Sequence, residues 1–260
     1  MRRPILLVLV LALFAPACSF EPFDGTFGDS TDGDRGRSRW SLSDGLCPGF
    51  GLCALDVAVA TGASTRLVVV VPDRVVAELS PLVLSGAATI GEVTRAPESD
   101  ELRFELHVTG PGIIELAIVS PDGERVDTAR FEARAPEGLE CGVLAAGAQV
   151  RYPMVSMSEG VREVTLRSSD TEGVPELGCR VTDASGAPLL SVDIVAWRIV
   201  REPDEDPLIA VRSHPFELVA DVVHGARVYV HPLDTERTGT ATLEASLGAS
   251  AQTFTVHVVE

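Results

Sequence analysis

Five histidines, His107, His214, His224, His231 and His257, are the side chains of this 260-residue chain best suited to proton transfer near neutral pH. They are scattered, and four stand in or beside segments with the alternation of a β-strand, where a cross-strand or solvent-facing histidine is the plain reading. A serine nucleophile needs a strained Gly-x-Ser-x-Gly elbow, or a histidine that can reach it. Ser156 and Ser158, in Met154-Val155-Ser156-Met157-Ser158, have neither pattern and read as part of a polar-faced strand or loop. For a metal, His224 and His231 are the pair to weigh. They flank the apolar run 226–230, which holds their side chains apart, and no cysteine cluster or His-Glu-x-x-His pattern joins them. Asp204-Glu205-Asp206 reads as a solvated charge run, and among 38 acidic residues no pair is singled out for glycoside hydrolysis. Asp29, Asp32 and Asp34 lack the spacing and closing glutamate of a calcium loop. These residues point to a chain that is not an enzyme and carries no cofactor or metal.

Charge narrows the partners. The 38 acidic residues outnumber the 21 basic ones, all arginine, for a net charge of −17. Such a surface repels phosphate backbones, which argues against nucleic acid. It also repels anionic lipid headgroups, so membrane attachment would need something other than a basic patch.

The N-terminus offers that alternative. Arg2 and Arg3 precede the aliphatic run Ile5 to Phe14, too short to cross a bilayer but suited to the apolar region of a signal peptide. Ala15-Pro16-Ala17-Cys18 follows. This segment resembles the lipobox of bacterial lipoproteins. The resemblance covers residues 1–18 and implies a signal peptide over 1–17, cleavage before Cys18, and acylation of Cys18 on sulfur and amino group. Ser19, where aspartate would retain an inner-membrane protein, implies export to the outer membrane or cell surface. Several acyl chains, at about 0.8 kcal/mol per buried methylene, suffice for stable anchoring. An ordinary signal peptide cut at the same bond would leave Cys18 a free thiol.

With Cys18 acylated, Cys47, Cys53, Cys141 and Cys179 remain, an even set that reads as two disulfides in an exported chain. Three pairings are possible. The sequential one, Cys47–Cys53 with Cys141–Cys179, is the expected one, and would stabilise by about 2 and about 4 kcal/mol on chain entropy.

The elements that must position these residues are strands. Residues 18–46 are rich in Asp, Gly, Ser, Thr and Arg and read as a flexible tether. From Cys47 the texture changes to short β-branched runs, with Leu102 to Val108 alternating apolar and charged. Pro121-Asp122-Gly123 predicts a turn whose second arm is Arg125 to Arg134. Val161 to Arg167, Cys179 to Thr182, Val192 to Val200 with Trp197 as core anchor, and a closing hairpin from Thr240 to Val258 continue the series. A turn or two of helix is expected over 74–79 and 142–149. Gly112-Ile113-Ile114-Glu115-Leu116 and Gly239-Thr240-Ala241-Thr242-Leu243 each open a final hairpin whose second arm carries Phe131 or Phe254. This ending resembles that of bacterial immunoglobulin-like domains. The resemblance implies an all-β fold of two immunoglobulin-like β-sandwiches after signal peptide and tether, over 47–136 and 137–260, although the Cys–Trp–Cys framework of antibody domains is missing. Its functional implication is a lipid-anchored envelope protein that binds a protein or glycan. An accessory subunit of an envelope assembly, or a hydrolase without a recognisable motif, are the alternatives.

Overall fold

A computed structural model describes residues 30–43, 52–72, 76–95, 100–144, 157–158, 160–169, 175–191, 193–202, 205–213 and 222–260. The regular structure is almost entirely strand, arranged as four sheets that face one another in two pairs.

In the first pair, one sheet runs β1 (Thr31–Asp32), β2 (Arg39–Ser43), β5 (Ser64–Val70), β8 (Glu101–Val108), β7 (Ala88–Arg95), with β3 (Leu52–Cys53) also on β2. The other runs β4 (Val59–Ala60), β10 (Arg125–Arg134), β9 (Gly112–Val119), β6 (Ser80–Ser85). In the second pair, one sheet runs β12 (Met157–Ser158), β11 (Gly138–Leu144), β14 (Glu176–Thr182), β19 (Arg227–Pro232), β17 (Ile209–Arg212), with β15 (Pro188–Leu189) on β14. Its partner runs β13 (Glu163–Arg167), β21 (Ser250–Val259), β20 (Gly239–Leu247), β16 (Ala196–Val200), β18 (Val222–His224).

Both pairs share one topology. Taking β2, β5, β6, β7, β8, β9 and β10 as the principal strands, the first, second, fifth and fourth form one sheet and the third, sixth and seventh the other. Strands β11, β14, β16, β17, β19, β20 and β21 repeat that order. A short strand lies parallel to the last strand in each case, β4 on β10 and β13 on β21. This is the immunoglobulin-like strand order. The two closing hairpins correspond as well, since Gly112 and Gly239 both open the sixth strand with positive φ, at 124° and 155°.

Alternation builds each core. Along β8, Leu102, Phe104, Leu106 and Val108 are buried while Arg103 is exposed. Trp197, on the third strand of the second sandwich, is fully buried, donates Nε1–H to the Gly225 carbonyl at 2.8 Å and packs 5.9 Å from Phe254. The first sandwich instead places its tryptophan, Trp40, on its first strand.

A buried carboxylate closes the end of the first sandwich. Trp40 donates Nε1–H to Ser38 Oγ at 2.7 Å, and Ser38 donates to Asp127 Oδ2 at 2.9 Å. The N–H groups of Arg35 and Arg37 donate to the same carboxylate at 2.9 Å each. A Cβ at residue 33 would lie 2.2 Å from Asp127 Oδ2, so only glycine lets this loop wrap so closely. Burial pushes the Asp127 carboxyl up, but hydrogen bonds from Arg35, Ser38, Thr128 and Arg37 together outweigh it and hold it below the usual carboxylate range.

The disulfide Cys141–Cys179 staples the first and second strands of the second sandwich, and the two cysteines are register partners. Neither N–H is spent on the other strand. That of Cys179 donates to the Ala226 carbonyl at 2.7 Å and that of Cys141 to Gln252 Oε1 at 2.9 Å. This is the non-hydrogen-bonded kind of pair, where opposed residues come closest. The Gln252 amide acts there as a surrogate strand, since its Nε2 also donates to the Leu139 carbonyl at 2.6 Å.

The two sandwiches are fused. Leu190 forms a parallel bridge to Val59, donating N–H to the Ala58 carbonyl and accepting from Ala60, both at 2.9 Å. Both side chains are fully buried, and one hydrophobic cluster runs through both halves. Around it, Arg134 NH1 meets Asp183 Oδ2 at 2.7 Å, Glu137 N–H donates to the Thr182 carbonyl at 2.9 Å, and Ser64 N–H donates to Asp193 Oδ1 at 2.8 Å.

Two expectations need correction. Among the described residues the first strand begins at Thr31, inside the 18–46 stretch read as tether. Arg39-Trp40-Ser41-Leu42-Ser43 carries a short period-two pattern whose apolar members are fully buried, and the polar residues around it mask that signal. Gly142 to Leu144 lie in β11 rather than a helix, because their backbone pairs with β14, while 145–149 lie outside the described residues. The short turn expected over 74–79 is present as a 3-10 turn, Val76–Glu78.

Asp127→Ala leaves its N–H donors without an acceptor and is expected to destabilise the chain by about 2–4 kcal/mol in chemical denaturation. Because the folded-state value of Asp127 is lowered, its contribution is complete above the unfolded carboxylate value of about 3.9 and is lost as pH falls through the folded value. Asp127→Asn should therefore flatten the acid limb of a melting-temperature profile. At the junction, Leu190→Ala should cost about 2–5 kcal/mol. Arg134→Ala, which removes a half-exposed guanidinium from the Asp183 and Glu132 carboxylates, should cost less than Leu190→Ala in the same assay.

Candidate functional site

The sequence candidates for chemistry are mostly braces. His107 Nδ1 lies 2.6 Å from Ser64 Oγ, and the two are register partners on adjacent strands. A serine bonded to a histidine is the first half of a nucleophile and base. Here Ser64 sits in a sheet ladder with its own N–H given to Asp193, so that N–H is not available as an oxyanion donor. The pair ties β5 to β8. His224 Nδ1 lies 3.2 Å from the Asp193 carbonyl and His257 Nδ1 lies 3.3 Å from Thr240 Oγ1. His224 and His231 fall on different sheets, β18 and β19, so the structure does not bring them together. Among the described residues no group of three or more His, Cys, Asp or Glu side chains could hold a metal. Ser158 is an exposed residue of β12. Asp32 lies in β1, and Asp34 accepts from Thr128 Oγ1 at 2.7 Å. Cys53 is disulfide-bonded. Cys18, Asp29, Cys47, Ser156, Asp204 and His214 lie outside the described residues.

A different group of side chains comes together on the outer face of the β11–β14–β19–β17 sheet. In Arg227-Val228-Tyr229-Val230-His231 the valines are fully buried, so Arg227, Tyr229 and His231 share the opposite face. Register sets Tyr229 between Glu176 on β14 and Arg212 on β17. Arg227 NH1 lies 3.0 Å from Glu176 Oε1, with both side chains about four-fifths buried, at 19 % and 22 % exposure. The Arg212 guanidinium stands over the Tyr229 ring at 5.4 Å, a cation–π contact. Beside them, His231 Nε2 is buried without a hydrogen-bond partner among the described residues. Burial pushes His231 below its usual range and the nearby Arg212 charge pushes the same way, so this imidazole is neutral at pH 7. Gly178 lies opposite Arg227, and a Cβ there would meet the Leu144 side chain at 3.1 Å, so the absence of a side chain lets Leu144 fold over the strand.

This face holds guanidinium donors, a carboxylate acceptor, a neutral ring nitrogen and an aromatic plane within three adjacent strands. It has the parts of a recognition site for a polar ligand. Considering the histidines one by one misses it. The signal is the alternation over 227–231, which places a basic, an aromatic and an imidazole side chain on one side of a strand.

No protein-family model and no curated protein matches this chain. Solved structures that align with it include domains 5–6 of the S-layer protein SbsC, at 16% identity over 79% of this chain and 94% of that one, TM-score 0.32. Invasin, a bacterial integrin-binding protein, aligns at 11% identity over 89% of this chain, TM-score 0.28, and this chain spans 41% of its length. The Yersinia pseudotuberculosis adhesin InvE aligns at 13% identity over 89% of this chain and 60% of that one, TM-score 0.31. The fold assignment rests on the strand order and register given above.

The His231 imidazole is expected to titrate below the usual histidine value of about 6.5 in an NMR titration. Arg212→Gln should move it back up, because one of its two depressing influences is gone. The unfolded chain binds that proton more readily, so His231 takes stability away as pH drops below the unfolded value.

Proposed function

We propose that this chain is a non-enzymatic, lipid-anchored protein of the bacterial envelope that holds two immunoglobulin-like domains away from the membrane for binding. Cys18 carries the acyl chains, and the segment between Cys18 and Thr31 links the anchor to the first sandwich. The second domain begins after residues 135–137. The carrying observation is the fused junction, where the Val59–Leu190 bridge continues one hydrophobic cluster across both sandwiches. Two sandwiches locked in this way act as one stiff body, which suits displaying a sheet face at a fixed distance from an anchor. A joint without such contacts would leave their relative motion free.

Intact mass of the chain extracted from bacterial membranes tests the anchor. The expected mass is that of a protein starting at Cys18 with added acyl chains, and a Cys18→Ser variant should lose the addition and leave the membrane fraction. An unmodified mass in wild-type membranes contradicts the reading.

A further inference from the structure

We propose that the uncharged side of the first sandwich, where the β6–β7 and β8–β9 turns meet beside Leu82 and Ile113, pairs with the same surface of a second copy of this chain. The pairing goes beyond the binding role proposed above and takes from it only the anchor, which gives neighbouring copies one orientation. Among the described residues Ile113 is the most exposed large apolar side chain, at 56 %, and Leu82 is 45 % exposed on the adjacent strand. Strands β6 and β7 end their two sheets, so both sheets stop on this side. The two turns form one surface. Thr109 N–H donates to the Ala87 carbonyl at 2.8 Å, and a Cβ at residue 86 would lie 2.5 Å from the Ile113 carbonyl oxygen, so Gly86 lets the first turn lie against the start of β9. Ala87 and Pro111 are exposed there with Ile113.

Charge selects the occupant. Residues 79–91 and 106–114 hold no Asp, Glu or Arg, in a chain where 23 % of residues are charged. A partner of different sequence is steered and selected by complementary charges. In a two-fold pair each group near the axis meets its own copy, so a charge there repels itself. An uncharged patch satisfies that constraint, and on a chain of net charge −17 it is where two copies approach at least electrostatic cost. An axis along the membrane normal leaves both anchors in the same bilayer. The backbone edges beside the patch are blunted. Pro81 has no N–H to give, and both edge strands are bulged, between Val83 and Ser85 and between Ile90 and Val93. The contact is therefore made by side chains and closes at two copies instead of growing by strand addition.

The test is oxidative cross-linking of the full chain in bacterial membranes. Ile113→Cys is expected to give a covalent dimer that a reductant reverses, while Val200→Cys, on the second sandwich and 44 % exposed, gives none. Two differently tagged wild-type copies should co-purify in mild detergent. Ile113→Glu in both copies should abolish that co-purification, and pairing an Ile113→Glu copy with an Ile113→Arg copy should restore it. Melting curves of every variant separate a lost contact from a lost fold, and the rescue by opposite charges is not open to a variant that merely unfolds. No dimer at position 113, an equal dimer at position 200, a cross-link from position 113 to a different protein or to lipid alone, or no rescue by the mixed pair each overturns the proposal, and with the chain in the membrane fraction the anchor still stands. A chain found in the soluble fraction contradicts the anchor instead, and the same cross-link read on that chain still decides the pairing.

Discussion

The rest of the structure depends on the bridge between Val59 and Leu190. Strand β4 is only two residues long, and it would be a weak edge if it met water on its open side. Instead it is held between β10 and a segment of the second sandwich. Its backbone is satisfied on both sides and its side chains are fully buried. Each sandwich thus completes the sheet edge of the other. The polar contacts around the bridge, the part-buried ion pair from Arg134 to Asp183 and the hydrogen bond from Ser64 N–H to Asp193, fix how the two sandwiches are oriented.

The same economy appears elsewhere. With few aromatic side chains, the core rests on valine, leucine, isoleucine and alanine, and polar knots hold the ends that aliphatic packing leaves open. Asp127 gathers the loop between β1 and β2 by taking up its N–H groups. Gln252 stands in for a missing strand beside β11, and Arg162 donates to it at 2.8 Å and to the Cys141 carbonyl. Arg162 also stacks on Phe254 at 5.3 Å, which ties this edge to the core. Buried groups of this kind stabilise only when every partner is present.

Much of the fold is legible in the chain. Alternation finds β8, β10, β13, β20 and β21, and Pro121-Asp122-Gly123 finds the turn between β9 and β10, where Gly123 takes φ of 83°. The pairing of Cys141 with Cys179 follows from the even cysteine count and a preference for the sequential arrangement. What escapes is strand formed by polar sequence. Strand β2 hides among serines and arginines, and β11 includes two glycines, Gly138 and Gly142, that weaken any strand signal. Tertiary pairing, not local preference, makes those segments extended. The outer face of the β11–β14–β19–β17 sheet is half legible. Arg227, Tyr229 and His231 share a face by period alone, but Glu176 and Arg212 reach them from strands distant in sequence.

Amide hydrogen exchange at Ala60 and Leu190 tests the fused junction most directly. Both N–H groups donate across the joint, to the Leu190 and Ala58 carbonyls respectively. If the two sandwiches form one body, these amides exchange as slowly as those of the central strands β8 and β20 and lose protection only with global unfolding. Fast exchange at both, with the central strands still protected, would mean that the joint opens on its own and would contradict the account.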